Sequence, residues 1–173
     1  LANVLGNFVN RIMKFAETKM GAVVPTEGEP GPLEKELYDD LEERLARISD
    51  FHDQMEFRKA AAETRALWVR GNEYLQVAAP WTALKTDPAR AAVAVRTGLN
   101  LCALFAATAA PFIPDGAEAI RSGLGLSGEP AWPMGAKLFE LVPPGQAIAA
   151  PPVLFRKIED ADVVAWSERF GGG

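Results

Sequence analysis

Residues 32–48 read PLEKELYDDLEERLARI, and this stretch decides the fold class. Its apolar side chains recur every three or four residues, at Leu33, Leu37, Leu41, Leu45 and Ile48. That spacing places them on one face of an α-helix, with charged side chains on the opposite face. Pro32 occupies a favoured first helical position, and acidic residues in the first turn complement the helix dipole. The stretch therefore predicts an amphipathic helix that packs on a core.

Helical patterns continue on both sides of this stretch. Upstream, an apolar face formed by Leu1, Val4, Leu5, Phe8, Ile12 and Phe15 predicts a first helix, ended by Gly21 and Pro25. Downstream, the patterns predict a third helix at 54–78, a fourth from the cap Asp87-Pro88 to about 110, and a short fifth at 115–122. Helices joined by short breaks predict an all-α bundle of four to five helices over residues 1–122.

Residues 123–173 differ in composition from the bundle. Residues 123–152 are rich in Gly and Pro and predict an irregular C-terminal extension, with an extended segment around 153–158. A short helix at about 161–170 ends the extension. We expect the extension to pack on the bundle and, through Phe139, Leu154 and Phe155, toward another domain of a longer polypeptide. The first residue, Leu1, also leads us to expect a piece of a longer protein.

The composition excludes several classes of protein. The 173 residues carry a net charge of −5, and 49% of them are hydrophobic, which fits one globular domain with or without a tail. The most apolar stretch, 97–112, contains polar and helix-breaking residues, so we predict a buried helix and no membrane span. One cysteine, Cys102, and one histidine, His52, cannot build a zinc site. We therefore predict no metal site and no catalytic residue, and we expect a cytoplasmic protein with a buried thiol.

The polar side of the first helix carries the first candidate binding residues: Asn3, Asn7, Asn10, Arg11 and Lys14. Each Asn in a helix costs about 0.5–0.7 kcal/mol relative to Ala, so three of them indicate a use for their amides. An amide offers donors and an acceptor that suit a base edge, and Arg offers a planar fork of donors. A capping or interhelical amide network is the alternative explanation.

The second candidate is Trp81, in the stretch QVAAPW at residues 76–81. Pro80 is expected to end the preceding helix, which would present the indole at a helix end. A flat, partly exposed ring can stack on an unpaired base, although it could also simply cover the core. Asn7, Arg11 and Trp81 together would supply edge recognition, charge and stacking, which single-stranded RNA loops require.

The net negative charge is unusual for a protein that binds nucleic acid. Residues 27–50 hold nine acidic and three basic side chains, whereas the first and third helices are mildly basic. We expect the second helix to face away from RNA. Binding through phosphates alone should be weak.

Several motifs resemble the C-terminal anticodon-binding domain of methionyl-tRNA synthetases, and together they span nearly the whole chain. They are LANVLGNFVNR at 1–11, GAVVP at 21–25, NEYLQ at 72–76, APW at 79–81, KTDP at 85–88, LNL at 99–101, VLF at 153–155 and IE at 158–159. The PFIP motif at 111–114, with Glu118, resembles a pattern shared by several class I synthetases. Asn7 with Arg11, together with residues 79–81, is the part that points to methionine.

The resemblance implies a helical bundle that reads the CAU anticodon of tRNA-Met. Trp81 would stack on an anticodon base with Pro80 setting the ring, and Asn7 and Arg11 would bind base edges or the adjoining backbone. Asn3, Asn10 and Lys14 are supporting candidates on the RNA side. The implied partners are the tRNA-Met anticodon loop and the catalytic domain of the same polypeptide, with no membrane.

The chain lacks the other motifs of that family. Neither a His-Ile-Gly-His motif nor a Lys-Met-Ser-Lys-Ser loop is present, and the zinc-knuckle cysteines are absent. We therefore expect no catalysis and no cofactor in this chain, while a parent enzyme would attach methionine to tRNA using ATP with Mg. Two alternatives stay open: a non-catalytic helical protein-interaction module, and the anticodon domain of another class I synthetase.

Overall fold

The computed structural model describes residues 1–128, 132–133, 138–156 and 158–171. Within them the chain is helical and contains no strand, which confirms the all-α prediction; an isolated antiparallel bridge joins Val23 to Ala147. A π-helical turn, Ala2–Gly6, leads into the first α-helix. The α-helices are α1 Asn7–Lys19, α2 Pro32–Asp53, α3 Phe57–Ala78, α4 Pro80–Thr86, α5 Pro88–Ala109, α6 Pro114–Gly123 and α7 Asp160–Phe170.

The helix starts follow from the local sequence. Proline is the first residue of α2, α4, α5 and α6, where its missing N–H leaves no helical hydrogen bond unmade. The Asp87 carboxylate caps α5 by accepting a hydrogen bond of 3.0 Å from the backbone N–H of Arg90. The predicted starts at Pro32 and Pro88 agree with the structure.

Helix α4 was not predicted and corrects the expected helix count. As predicted, α3 ends at Ala78, but the chain does not stay irregular afterwards. Ala79 adopts a left-handed conformation, with φ 37° and ψ 59°, and Pro80 immediately begins α4. The fixed φ of proline suits a first helical turn, so the residue that prevents α3 from continuing also starts the next helix. Trp81 therefore lies in the first turn of α4, and six helices replace the predicted four to five.

Helix α5 lies at the centre of the bundle. Phe105 of α5 packs against Phe8 of α1, with ring centroids 4.9 Å apart. At Gly71 of α3 an added Cβ would lie 2.5 Å from the Phe105 ring, so a glycine allows the two helices to approach this closely. Helix α5 is long and apolar enough to cross a membrane, but 89% of its most apolar window is buried in the bundle. It is therefore a core helix, as predicted.

One buried carboxylate joins three helices. Glu34 of α2 is 0% exposed and accepts hydrogen bonds of 2.6 and 2.8 Å from the guanidinium of Arg90. It also accepts hydrogen bonds from the Tyr74 hydroxyl at 2.6 Å and the Gly31 backbone N–H at 2.9 Å. Burial alone would raise the pKa of Glu34, but the donors outweigh it and the pKa lies below its ordinary value. Burial and the hydrogen bond to Glu34 both raise the pKa of Tyr74, so its hydroxyl stays protonated.

The extension packs on the bundle at separate points. Leu138, Val142 and Ile148 are buried in the common core. The Val142 backbone N–H donates a hydrogen bond of 3.0 Å to the side-chain oxygen of Asn100, which lies within α5. The described residues of 153–158 are neither helix nor strand, and the extended segment expected there stays a prediction. The final helix appears as predicted, as α7, and none of its residues is buried.

Candidate nucleic-acid interface

The clearest arrangement at the predicted site is the pair formed by Trp81 and Arg11. The Arg11 guanidinium carbon lies 4.3 Å from the Trp81 ring centroid, which is a cation–π contact between α1 and α4. Phe15, one turn after Arg11, meets the indole edge-on, with ring centroids 6.4 Å apart at 84°. The indole is half-buried, so it packs on the core and also reaches solvent. Pro80 is buried and acts by starting α4.

Asn7 lies one helical turn before Arg11 on α1. Residues four apart share a helix face, so Asn7 and Arg11 lie side by side, and Asn7 is exposed. The structure thus brings Arg11 into contact with Trp81 and leaves an exposed amide next to the pair.

The supporting candidates fall into two groups. Asn3 and Asn10 are exposed and, with Asn7, line a cleft of about 470 Å³ between α1 and residues 151–155. Lys14 differs, because its ammonium lies 2.8 Å from the Glu17 carboxylate. Lys14 therefore has a local counter-charge and is not a free cation beside the cleft.

The three amides make no side-chain hydrogen bond to any residue that the structure describes. The interhelical network considered as an alternative for them therefore does not form within the described chain. Glu17 instead connects α1 to the extension: its carboxylate accepts a hydrogen bond of 3.2 Å from the Ala150 backbone N–H. Lys14 and Ala150 together lower the pKa of Glu17.

Much of the positive charge expected on α3 is already paired. Arg70 donates to Asp40 at 3.1 Å and to Glu36 at 3.3 Å, both on α2. Lys59 of α3 is paired as well, because its ammonium lies 2.8 Å from the Glu56 carboxylate. The acidic helix α2 thus neutralises part of α3, which makes the basic side weaker than the sequence indicated.

Two contributors to this surface were not recognised from the sequence. Phe15 was assigned only to the apolar face, although its position four residues after Arg11 places it beside the same partner. The cleft wall at 151–155 could not be foreseen, because no periodic pattern connects that segment to α1.

No catalytic or metal-binding cluster is visible in the described ranges. No group of three or more His, Cys, Asp or Glu side chains there could hold a metal ion. His52 packs among aromatic rings, with the Phe112 centroid 5.7 Å away. Cys102 is fully buried, and burial raises the pKa of its thiol, so it stays protonated at neutral pH.

A family model described as the anticodon binding domain of methionyl tRNA ligase matches residues 24–173. The chain belongs to this family. The matched region of the anticodon-binding domain includes Pro80 and Trp81, whereas Asn7 and Arg11 precede it.

Relatives and solved structures of this anticodon-binding domain are similar to nearly the whole chain, including the residues before 24. Methionine–tRNA ligase of Caulobacter sp. strain K31 is 56% identical over 174 residues, covering 99% of this chain and 31% of the relative. The ligase of Hyphomonas neptunium is 49% identical over 180 residues, with coverages of 100% and 31%. Apo methionyl-tRNA synthetase of Mycobacterium tuberculosis has the same fold, with a TM-score of 0.82 at 22% identity over 92% of this chain and 32% of that one. The chain thus spans about a third of its relatives.

Proposed function

We propose that this domain recognises the CAU anticodon of tRNA-Met within a methionine–tRNA ligase. The observation that carries the proposal is the stacking of Arg11 on Trp81, with the exposed Asn7 one turn away. This arrangement combines a ring that can stack on a base, a cation, and an amide that can read a base edge.

Each residue has a distinct role in this proposal. Trp81 stacks on an unpaired anticodon base, a contact worth about 1–3 kcal/mol. Arg11 donates to the edge or phosphate of that nucleotide, because its planar guanidinium is already beside the ring. Asn7 pairs with a base edge, which makes the site selective for sequence. Pro80 fixes the start of α4 and so the direction of the ring.

The chemistry of the whole ligase belongs to the part of the relatives that this chain does not span. One solved Mycobacterium tuberculosis methionyl-tRNA synthetase is bound by methionyl-adenylate. We infer that the longer protein activates methionine with ATP and Mg and works in the cytoplasm. This chain has neither nucleotide-binding motif of the catalytic part, so its residues contribute recognition of tRNA and no step of that reaction.

We further propose that residues 1–122 form the anticodon-binding unit and that residues 123–173 form an extension that contacts the catalytic part. The apolar side chains of α7 support this assignment, because they are exposed in the isolated chain: Val163 is 50%, Val164 57%, Trp166 43% and Phe170 70% exposed. Exposed apolar side chains that follow one helix indicate an interaction surface.

A titration with RNA hairpins tests the anticodon proposal. Hairpins carrying a CAU loop, a permuted loop, or the anticodons of other amino acids are bound to wild type and to Trp81→Ala. We expect CAU to bind tightest and Trp81→Ala to weaken it about 5- to 150-fold, which corresponds to the loss of one stacked base. Trp166→Ala is the matched control, because Trp166 is another partly exposed tryptophan near an arginine, Arg156.

The outcomes separate the alternatives. Equal affinity for CAU and permuted loops would contradict anticodon recognition and favour a protein-docking module. Tighter binding of a different anticodon would assign the domain to another class I synthetase. Circular dichroism of each variant shows whether the bundle is intact.

A further inference from the structure

In the part of the chain that the structure describes, the cleft next to Asn7 is lined by uncharged groups. Its walls are Ala2, Asn3, Gly6, Asn7, Val9 and Asn10 on one side and residues 151–155 (PPVLF) on the other. No carboxylate, ammonium or guanidinium of a described residue contributes to these walls. An uncharged lining with several amides does not suit a phosphate group, but it suits a flat, neutral ligand that forms hydrogen bonds along its edge.

The asparagine amides in this cleft have unused hydrogen-bonding capacity. Each amide can donate two hydrogen bonds and accept two, and none of the three bonds to a described residue. Asn7 and Asn10, three residues apart on α1, share a helix face, and Asn3 of the preceding π-helical turn lines the same cleft. The rise along the axis from Asn7 to Asn10 is about 4.5 Å at 1.5 Å per residue.

The opposite wall is held in place against the helices. The Phe155 ring packs over two glycines: an added Cβ would lie 3.0 Å from it at Gly6 and 3.3 Å at Gly116. The hydrogen bond from the Ala150 N–H to Glu17 fixes the start of the same segment. Pro151 and Pro152 restrict the backbone between these anchors and offer no N–H, so this part of the wall is stiff and apolar.

We propose that this cleft binds a second nucleobase, the neighbour in the same RNA loop of the base on Trp81. The inference rests on the proposed function and adds the C-terminal segment 151–155 to the RNA-binding surface. The base lies against the apolar wall at 151–155 and presents its edge to the amides of Asn3 and Asn10. Continuity supports RNA as the occupant, because Asn7 lines the cleft and also lies next to Arg11.

The test uses the 173-residue chain with Asn3 and Asn10 both changed to Ala. Wild type, this double variant and Trp81→Ala are titrated with a CAU hairpin and with three hairpins that each lack one anticodon base. We expect the double variant to bind the intact loop about tenfold more weakly, from the loss of roughly two hydrogen bonds. For the hairpin that lacks the cleft base, wild type and the double variant should bind equally.

A salt series separates the contribution of the uncharged cleft from that of the Arg11 charge. Because the cleft is uncharged, the double variant should keep the wild-type dependence of affinity on salt, whereas Arg11→Ala should reduce it. Gln54→Ala, an exposed amide outside the cleft, is the matched control. Replacement of Asn by Ala favours helix, so the variants should stay folded.

The proposal is overturned if the double variant binds within twofold of wild type while Trp81→Ala binds more weakly; the anticodon proposal then survives alone. It is also overturned if the double variant weakens binding by the same factor on all three hairpins that lack a base. Such additivity would mean that none of the three bases contacts Asn3 or Asn10. If neither Trp81→Ala nor the double variant alters binding, both proposals are wrong.

Discussion

At the scale of single residues, the free chain already holds Trp81 between two partners. Arg11 lies over the ring and Phe15 meets its edge, so the indole is oriented before any ligand arrives. A side chain that is ordered beforehand loses little rotamer entropy on binding. The sequence could predict Trp81 and Arg11 as candidates, but their contact depends on how α4 packs against α1.

The guanidinium of Arg11 should not be replaceable by an equal charge. Arg11→Lys keeps the net charge, but it loses the planar stacking on Trp81 and the fork of donors. We expect CAU-hairpin affinity to fall roughly 5- to 10-fold, about 1–1.4 kcal/mol, measured by titration at constant ionic strength. An unchanged affinity would show that only the charge of Arg11 matters.

Asn7→Ala should raise the stability of the domain and lower its affinity for RNA. Asn7→Ala removes an exposed amide that has no partner among the described residues and replaces it with a better helix former, so we expect about 0.5 kcal/mol more stability. RNA affinity should fall at the same time. Urea unfolding and hairpin titration of one preparation measure both effects. A destabilised variant would show that the amide has a structural role.

At the scale of helices, the sequence predicted the elements better than their contacts. Periodic apolar faces and proline starts predicted α2 and α5, because both signals act within one element. The close approach of α3 and α5 at Gly71 could not be predicted, since a lone glycine in a helix equally indicates weakness or close packing. Helix α4 was missed because Pro80 was interpreted only as the end of α3, although it is also the first residue of α4.

Gly71→Ala should destabilise the bundle despite the higher helix propensity of alanine. The new methyl would lie 2.5 Å from the Phe105 ring and 3.2 Å from the Phe8 ring, so the packed rings must move. We expect a loss of about 1–3 kcal/mol in the free energy of unfolding.

A control on the same helix separates packing from propensity. Ala62 is exposed on α3, and Ala62→Gly should cost about 1 kcal/mol through propensity alone. Chemical denaturation compares the two variants. If Gly71→Ala were stabilising, α3 and α5 would not be in the close contact described.

At the scale of the whole molecule, the fold depends on a few long-range polar contacts that no local pattern reveals. Glu34 appears in the sequence only as a first-turn acidic residue that complements the helix dipole, and nothing in the pattern indicates burial. The structure buries it against Arg90 and Tyr74, which are far away in the chain. The course of the extension was equally hidden, because isolated residues such as Val142 carry no periodicity.

The Glu34 network should make stability depend on pH. The donors lower the folded-state pKa of Glu34, so its stabilisation is complete well above the ordinary value of 4.5 and is lost as pH falls below it. Glu34→Gln removes the charge at every pH. We expect Glu34→Gln to cost about 3 kcal/mol at pH 7, and we expect the difference from wild type to shrink only once pH falls below the ordinary pKa of 4.5.

Thermal unfolding of both proteins between pH 7 and pH 3 measures this difference. Glu36→Gln is the control, since Glu36 is a largely exposed acidic residue on the same helix. A difference that does not change with pH would show that Glu34 is not ionised in the folded protein.

The left-handed Ala79 has a consequence for how recognition would proceed. An alanine in that conformation carries about 1 kcal/mol of backbone strain that a glycine would avoid. The methyl group of Ala79 restricts the backbone conformations available between α3 and α4. The angle between the two helices therefore varies less than it would with glycine at this position. Because α4 follows this restricted residue, the Trp81 ring has little freedom to change its orientation when RNA binds. On the function proposed here, the anticodon loop must therefore unstack and reshape itself to fit, and discrimination among tRNAs would depend on how easily each loop deforms.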